Sequence, residues 1–286
     1  MISGTTELIA HIGVPTANFR APLIYNPWFE RKGIDAVVVP MGCQSEDYPG
    51  FLRLLFNLTN IRGALVTMPH KVTTAGLVDV LSPTAEICGA CNAVRRDGEG
   101  RLVGGMFDGE GFVRAMRTQG RNPEGALALV VGAGGVGSAI AASLAAAGVS
   151  RLSLFDLNLA AAQDLAARLA THYPGLALSC GSPDPAGIDI IVNATPLGMN
   201  ANDALPVDPE RIDTSAYVGD VVMADRETAL LKLAREKGCT VQPGLDMLFE
   251  QIPAYLEFFG FPQASARELR DLAHPAIPTA SPDAPD

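Results

Sequence analysis

The sequence predicts an α/β protein of two domains. Its 286 residues suit two domains of ordinary size. Strand-like and helix-like segments alternate in two separate series, one in each half of the chain. Hydrophobic residues make up 48% and charged residues 18%, enough apolar material for two cores.

In the first series ELIAHIGV reads as a strand, APLIYNPWFERKG as a helix, DAVVVPM as a strand, YPGFLRLLFNLTN as a helix and GALVTM as a third strand. That order favours an open, mostly parallel sheet. AEICGACNAVRRDGEGRLVGGMFDGEG follows, with DGEG as a turn between two short strands, so the sheet is mixed. The second series starts near Ala126. ALALVVGAGGVGSAIAASLAAAG reads as strand, loop and helix, RLSLFD as a strand and LAAAQDLAARLATHYPG as an amphipathic helix. DIIVNAT and AYVGDVVM are strands, TALLKLAREKG is a helix and TVQP a last strand. LDMLFEQIPAYLEFF is a terminal helix expected to fold back onto the first domain. The division is then 1–108, completed by a helix at 245–270, and 109–244. The tail, 271–286, rich in Pro, Ala and Asp, is expected to be disordered.

A formal net charge of −10 with no Lys/Arg-rich run excludes nucleic acid and anionic membrane as partners, because phosphate contact needs clustered positive charge. An anionic small substrate remains open. From Gly125 to Ser150 the chain carries no charge and is long enough to span a bilayer. Its alanines have little lipid affinity and its glycines cluster mid-segment, which favours a strand, a turn and a packed helix in a soluble protein. MISGTTELIA has no basic region followed by an apolar stretch, so it does not read as a signal peptide. The five cysteines are an odd number, and Cys88-Gly-Ala-Cys91 has no second pair, so neither a disulfide framework nor a metal site is assigned. A reducing cytoplasm fits. The oligomeric state stays open, a homodimer included.

Gly132-Ala133-Gly134-Gly135-Val136-Gly137 fits G-x-G-x-x-G. It follows an apolar strand and opens an alanine-rich helix, the context a dinucleotide fingerprint requires; a plain tight turn is the alternative. Such glycines let the backbone approach a pyrophosphate at the positive end of a helix. Asp156 ends the next strand at close to the roughly 20-residue spacing of the ribose-binding acid, with a helix N-cap as the alternative. Leu157 and Asn158 follow it rather than an arginine. NAD is therefore favoured over NADP. In the first half, the apolar run Ala64-Leu65-Val66 ends before Pro69, and Lys71 follows. Alone, such a lysine is most simply a surface residue.

VTMPHK, GACNAV, LVGGMFDGEGF, VVGAGGVGSA, NATPLGM and GLDMLFEQ occur in one order from about Ile9 to Phe259. In these motifs the chain resembles the shikimate and quinate dehydrogenases. The resemblance implies an N-terminal βα substrate domain facing a Rossmann domain across a cleft, and reversible oxidation of a ring hydroxyl of a cyclic polyol carboxylate with NAD(P). It implies that Lys71 and Asp108 act together at the reacting hydroxyl, and that Thr67, Asn92 and Gln251 hold the ring. Asn193, Ala194 and Thr195 join the glycine loop as cofactor-binding residues. A paired lysine tuned toward neutral pH is worth about 10²–10⁴ in rate for the proton transfer. His70, facing the other way in an extended segment, is expected at the surface.

The chain departs from the family where the substrate carboxylate is held. The family's G-x-P-x-x-x-S-x-S-P reads GVPTANFRAP here, so Phe19 and Ala21 stand in place of the two serines. Leu65, Met106, Phe107 and Met223 replace further polar residues or tyrosine. Two lost hydrogen bonds to a charged group cost about 3–6 kcal/mol. In an extended segment, with Ala21 held so by Pro22, Arg20 faces away from both. The expectation is an NAD-preferring dehydrogenase of a hydroaromatic or related cyclic hydroxy compound, for which shikimate is a poor substrate. The alternative is a non-catalytic nucleotide-binding sensor or partner protein; the pair Lys71 and Asp108 weighs against it.

Overall fold

The protein was analysed as a computed structural model that describes residues 2–17, 19–223, 226–275 and 277. It divides into two compact units. Unit 1 is the chain up to Phe107 together with the segment from Ile252 onward, and unit 2 runs from Asp108 to Gln251.

Unit 1 opens with β1 (Glu7–Gly13), α1 (Ala21–Lys32), β2 (Ala36–Gly42), α2 (Tyr48–Leu55) and β3 (Ile61–Val66). Next come α3 (Lys71–Ala75), β4 (Val80–Leu81), α4 (Pro83–Cys88), β5 (Ala93–Arg96) and β6 (Leu102–Gly105). The strand order is β2-β1-β3-β5-β6-β4. β1, β2 and β3 are parallel, whereas β5 runs antiparallel to both β3 and β6. Pro40, which cannot donate to a ladder, is tolerated because β2 is an edge strand. Strand alternation sorts the side chains. Ala10 and Ile12 of β1 and Ala64 and Val66 of β3 pack with Tyr48, Leu52 and Leu55 of α2. His11 and its register partner Leu65 therefore face the opposite side of the sheet.

Unit 2 begins with α5 (Asp108–Thr118), β7 (Leu127–Val131), α6 (Gly135–Ala146), β8 (Arg151–Phe155), α7 (Leu159–His172) and β9 (Ala177–Cys180). It continues through β10 (Ile190–Asn193), a 3-10 turn at Pro209–Arg211, β11 (Tyr217–Asp220), α8 (Ala229–Glu236) and β12 (Thr240–Gln242). All six strands are parallel in the order β12-β11-β10-β7-β8-β9, so the order reverses between β7 and β10. The uncharged stretch becomes β7, a turn and a buried alanine-rich α6. Among the described residues no helix is long and apolar enough to cross a membrane.

The last elements are α9 (Gly244–Phe259) and α10 (Ala266–Leu272). From Ile252 onward they complete unit 1. Arg62 donates to the Phe259 carbonyl oxygen. The Trp28 indole N–H donates to Glu268 at 3.2 Å, and Lys32 pairs with Glu268 at 2.6 Å. The boundaries differ from those expected at 108 and 245 because packing assigns Asp108 and the first half of α9 to unit 2. There Gly111 of α5 lies against Met247 and Gln251 of α9. The tail also differs. Asp271 and Leu272 are helical, the His274 amide donates to the Leu23 carbonyl at 2.9 Å, and Ile277 is buried. The rest of the expected disordered tail lies outside the described residues.

Candidate functional site

In unit 1 the predicted substrate residues gather at the ends of β1, β3 and β5. Thr67 follows β3, and its amide donates to the Ile12 carbonyl at 2.9 Å. Lys71 is the first residue of α3. Its carbonyl accepts from the Cys91 amide at 2.9 Å, which ties the helix start to the loop before β5. Asn92 is buried; its amide donates to Gly105, and its Oδ1 accepts from the Phe107 amide at 3.0 Å. Phe107 packs against Tyr255 and Phe258 of α9, with centroids 5.0 and 5.1 Å apart. Leu65 and Met106 are buried, while Met223, in unit 2, is 44% exposed. The cysteines are free, and among the described residues no group of His, Cys, Asp or Glu is arranged to hold a metal. Cys91 is a core residue whose thiol burial pushes up to about 12.

Two local expectations are corrected. His70 is buried, not at the surface. It precedes α3 with helical dihedrals (φ −91°, ψ −12°), so the alternation of an extended segment does not apply to it. Its ring stacks on Tyr48, and its Nε2 donates to the Cys43 carbonyl at 2.9 Å. From Arg20 onward the segment is not extended either. Arg20 is helical (φ −91°, ψ −25°) and Ala21 is the first residue of α1, so the argument that Arg20 faces away loses its premise. Pro22 lies in the first turn, where a missing N–H costs nothing, and that tolerance outweighs the bias against a helical residue before proline. Phe19 points its ring edge at Gly13, beside the Thr67 methyl, and stacks on His11.

Sequence reasoning passed over His11. Its ring centroid lies 4.0 Å from that of Phe19, and its Nδ1 is buried without a hydrogen-bond partner among the described residues. Burial first, and then the charge of Lys71, lower its pKa to about 4, so the ring is neutral at physiological pH. A histidine among the apolar residues of a sheet strand was the available signal.

In unit 2 the glycine loop joins β7 to α6 at the point where the strand order reverses, the crevice where open α/β sheets bind ligands. Gly132 has φ +105°, and a Cβ there would lie 2.7 Å from the Ala194 carbonyl oxygen. At Gly137 a Cβ would lie 1.9 Å from the Gly132 carbonyl oxygen, so only glycine lets the helix start so close to the turn. Among the described residues nothing lies within 4 Å of the Cβ positions of Gly134 and Gly135, so the loop backbone beside the α6 N-terminus is open. Val136 lies in the first turn of α6. An anionic pyrophosphate fits this cradle.

Asp156 follows β8. It accepts from the Ala133 amide through Oδ2 and from the Asn158 amide through Oδ1, each at 2.8 Å, which places its carboxylate beside the glycine loop. Asn193 ends β10 and is buried. It donates to Asp220 and the Leu197 carbonyl, and accepts from the Thr195 amide and hydroxyl. Asn193 thus shapes the Ala194–Thr195 turn that faces Gly132. Asp220 is buried, and burial raises its pKa. It also accepts from the Val222 amide and Thr228.

Asp108 and Gln251 also belong to unit 2. Asp108 is buried at the N-terminus of α5, where a carboxylate is favoured by the helix dipole. A Cβ on the adjoining Gly109 would lie 2.0 Å from the Ala139 carbonyl oxygen, so α5 is anchored directly on α6. The Gln251 Oε1 is a buried acceptor without a partner among the described residues.

Comparison with known proteins accords with this geometry. Residues 12–94 match the model of the shikimate dehydrogenase substrate binding domain. A shikimate dehydrogenase (NADP(+)) from Rubrobacter xylanophilus is 39% identical over 259 residues, covering 87% of this chain and 89% of its own. Shikimate 5-dehydrogenase from Listeria monocytogenes, solved in complex with shikimate and NAD, superposes with a TM-score of 0.88 at 28% identity, covering 95% and 97%. The ligand-free 5-ketofructose reductase of Gluconobacter sp. strain CHM43 superposes with a TM-score of 0.85 at 27% identity, covering 94% and 99%.

Proposed function

The chain belongs to the shikimate dehydrogenase family, and on that premise we propose that it is an NAD(P)-dependent oxidoreductase interconverting a ring hydroxyl and a ketone of a cyclic hydroxy compound. The observation that carries this reading is the presence of Lys71, Asp108 and the complete glycine cradle in a chain 39% identical to a relative so named. A non-catalytic nucleotide-binding paralogue has no use for that lysine and aspartate.

Bound at the glycine loop, NAD(P) supplies the hydride acceptor. Lys71 takes the hydroxyl proton during oxidation and returns it during reduction, and Asp108 matches the family's partner for that lysine. Asn92, Thr67 and the Gln251 acceptor hold the remaining ring hydroxyls. Asp156 accepts from the ribose hydroxyls and repels a 2′-phosphate, which favours NAD, although the Rubrobacter relative is named for NADP(+). Phe19 and Ala21 leave a substrate carboxylate without its two hydroxyl partners. The neighbour named for 5-ketofructose, a keto sugar without a carboxylate, supports a substrate outside the shikimate and quinate pair.

The test is calorimetric titration with NADH and NADPH, followed by turnover of a panel of cyclic polyols and ketones. Cofactor-dependent turnover of one member is the expected result. Tight cofactor binding with no turnover of any would establish the non-catalytic alternative.

A further inference from the structure

His11 has no part in the mechanism above, yet it stands among the groups that have one. It lies two positions before Gly13 and shares a sheet face with Leu65. Its ring is stacked on Phe19. Two departures from the family, Phe19 and Leu65, thus flank one imidazole. A partnerless, desolvated ring nitrogen weakens a fold, and an aliphatic residue would fill the strand position without it. Groups kept at such a cost are characteristic of binding sites.

We propose, resting on the dehydrogenase reading, that His11 is a substrate-facing specificity residue whose half-buried imidazole hydrogen-bonds an uncharged hydroxyl or keto oxygen through Nε2, Nδ1 being the buried nitrogen. With Phe19 and Leu65 it forms a wall that selects a neutral cyclic polyol or ketone over a carboxylate. A neutral imidazole has one N–H and one lone pair. Nε2 either accepts from a hydroxyl or donates to a keto oxygen, and both partners are neutral. A carboxylate against Phe19 and Leu65 would lose water without gaining the two serine hydroxyls. Burial keeps the imidazole uncharged, and the charge of Lys71, the lysine assigned to the reacting hydroxyl, acts on it in the same direction.

The experiment measures the full-length protein with 5-ketofructose and a keto-inositol as neutral probes, using NADH and NADPH. Shikimate and quinate, with NAD and NADP, are the carboxylated probes. Wild type should show kcat/KM at least about 10-fold higher for a neutral probe. His11→Phe, which keeps the stack, should lower that value about 10–100-fold, mainly through KM. NADH affinity should not change, and Tm should rise because the buried nitrogen is gone. His11→Gln, which keeps a hydrogen-bonding group, should lose less than His11→Phe. Unchanged turnover of the neutral probe by His11→Phe overturns the proposal alone, as does a wild-type preference for shikimate or quinate. NADH binding without turnover of any probe by wild type removes the dehydrogenase reading, and the proposal with it. Should His11→Phe fail to fold, His11→Val is measured in its place against the same two outcomes.

Discussion

His70 and Tyr48 stack nearly parallel, with ring centroids 4.0 Å apart and planes 9° from coplanar. The Tyr48 hydroxyl lies 2.7 Å from Thr74 Oγ1, and Thr74 donates in turn to the His70 carbonyl at 2.8 Å. Both ends of α3 are thereby pinned to α2, and Lys71 is the first residue of that helix. His70→Ala should destabilise the protein by about 1–3 kcal/mol, from the lost stack and the lost bond to Cys43. It should also lower kcat, because Lys71 loses its support. His70→Phe should lose less on both counts. Urea unfolding followed by the fluorescence of Trp28, the one tryptophan, checks the first, and steady-state kinetics the second.

Lys71→Ala should lower kcat by about 10²–10⁴ while leaving NADH affinity within a few-fold, since the lysine and the glycine loop belong to different units. Calorimetry and single-turnover kinetics separate the two effects. Comparable turnover in the variant would remove Lys71 from the mechanism.

Asp156→Ser combined with Leu157→Arg should shift preference from NAD toward NADP. The change removes a charge that repels a 2′-phosphate and adds a cation at a side chain that is almost fully exposed. The ratio of kcat/KM for the two cofactors is the measurement. A wild-type preference for NADP would show that Asp156 serves only the amides of Ala133 and Asn158.

Phe19→Ser with Ala21→Ser should raise kcat/KM for shikimate or quinate, with a ceiling set by the ~3–6 kcal/mol of two hydrogen bonds to a charge. The real gain should be smaller, because Leu65 and Phe107 remain, and the native substrate should suffer from the vacated ring. If wild type turns shikimate over efficiently and the double variant does no better, the carboxylate is held elsewhere. Arg20→Ala is then the next measurement.

Acid should weaken the fold through His11. Its pKa in the folded protein is about 4, below the ordinary 6.5, so the unfolded chain binds the proton more readily. The contribution of the neutral ring is fully present above about pH 6.5. It is lost progressively as pH falls toward 4. The urea midpoint of His11→Phe should vary less over that window than that of wild type. Equal slopes would mean that His11 is not desolvated in solution.

Regular periodicity made most of the two sheets legible, including every strand of the first βαβαβ series and the loop between β7 and α6. What escaped was set by tertiary packing. Asp-Gly-Glu-Gly occurs twice: residues 97–100 turn the hairpin between β5 and β6, while residues 108–111 open α5. Nothing local separates the two copies; Gly109 and Gly111 are helical because α6 and α9 press against them. β9, with mostly exposed residues, had no alternating pattern to betray it. The glycine loop and Lys71 were legible because their chemistry is local. His11 was not, because its partners Phe19 and Leu65 meet it only across the folded sheet.

The split composition of unit 1 has a consequence for how the polypeptide matures during synthesis. Trp28 and Lys32 share Glu268, Arg62 bonds the Phe259 carbonyl, and Leu23 accepts from the His274 amide. All four tether early residues to elements translated after the Asp108–Gln251 segment. The segment from Asp108 to Gln251 has its whole sheet in hand once β12 leaves the ribosome, so the dinucleotide-binding unit can fold first. The amino-terminal unit, although made earlier, must wait with Trp28 uncovered until α10 arrives. A stalled nascent chain ending before Ala266 should therefore bind NADH yet show the red-shifted emission of a solvated indole.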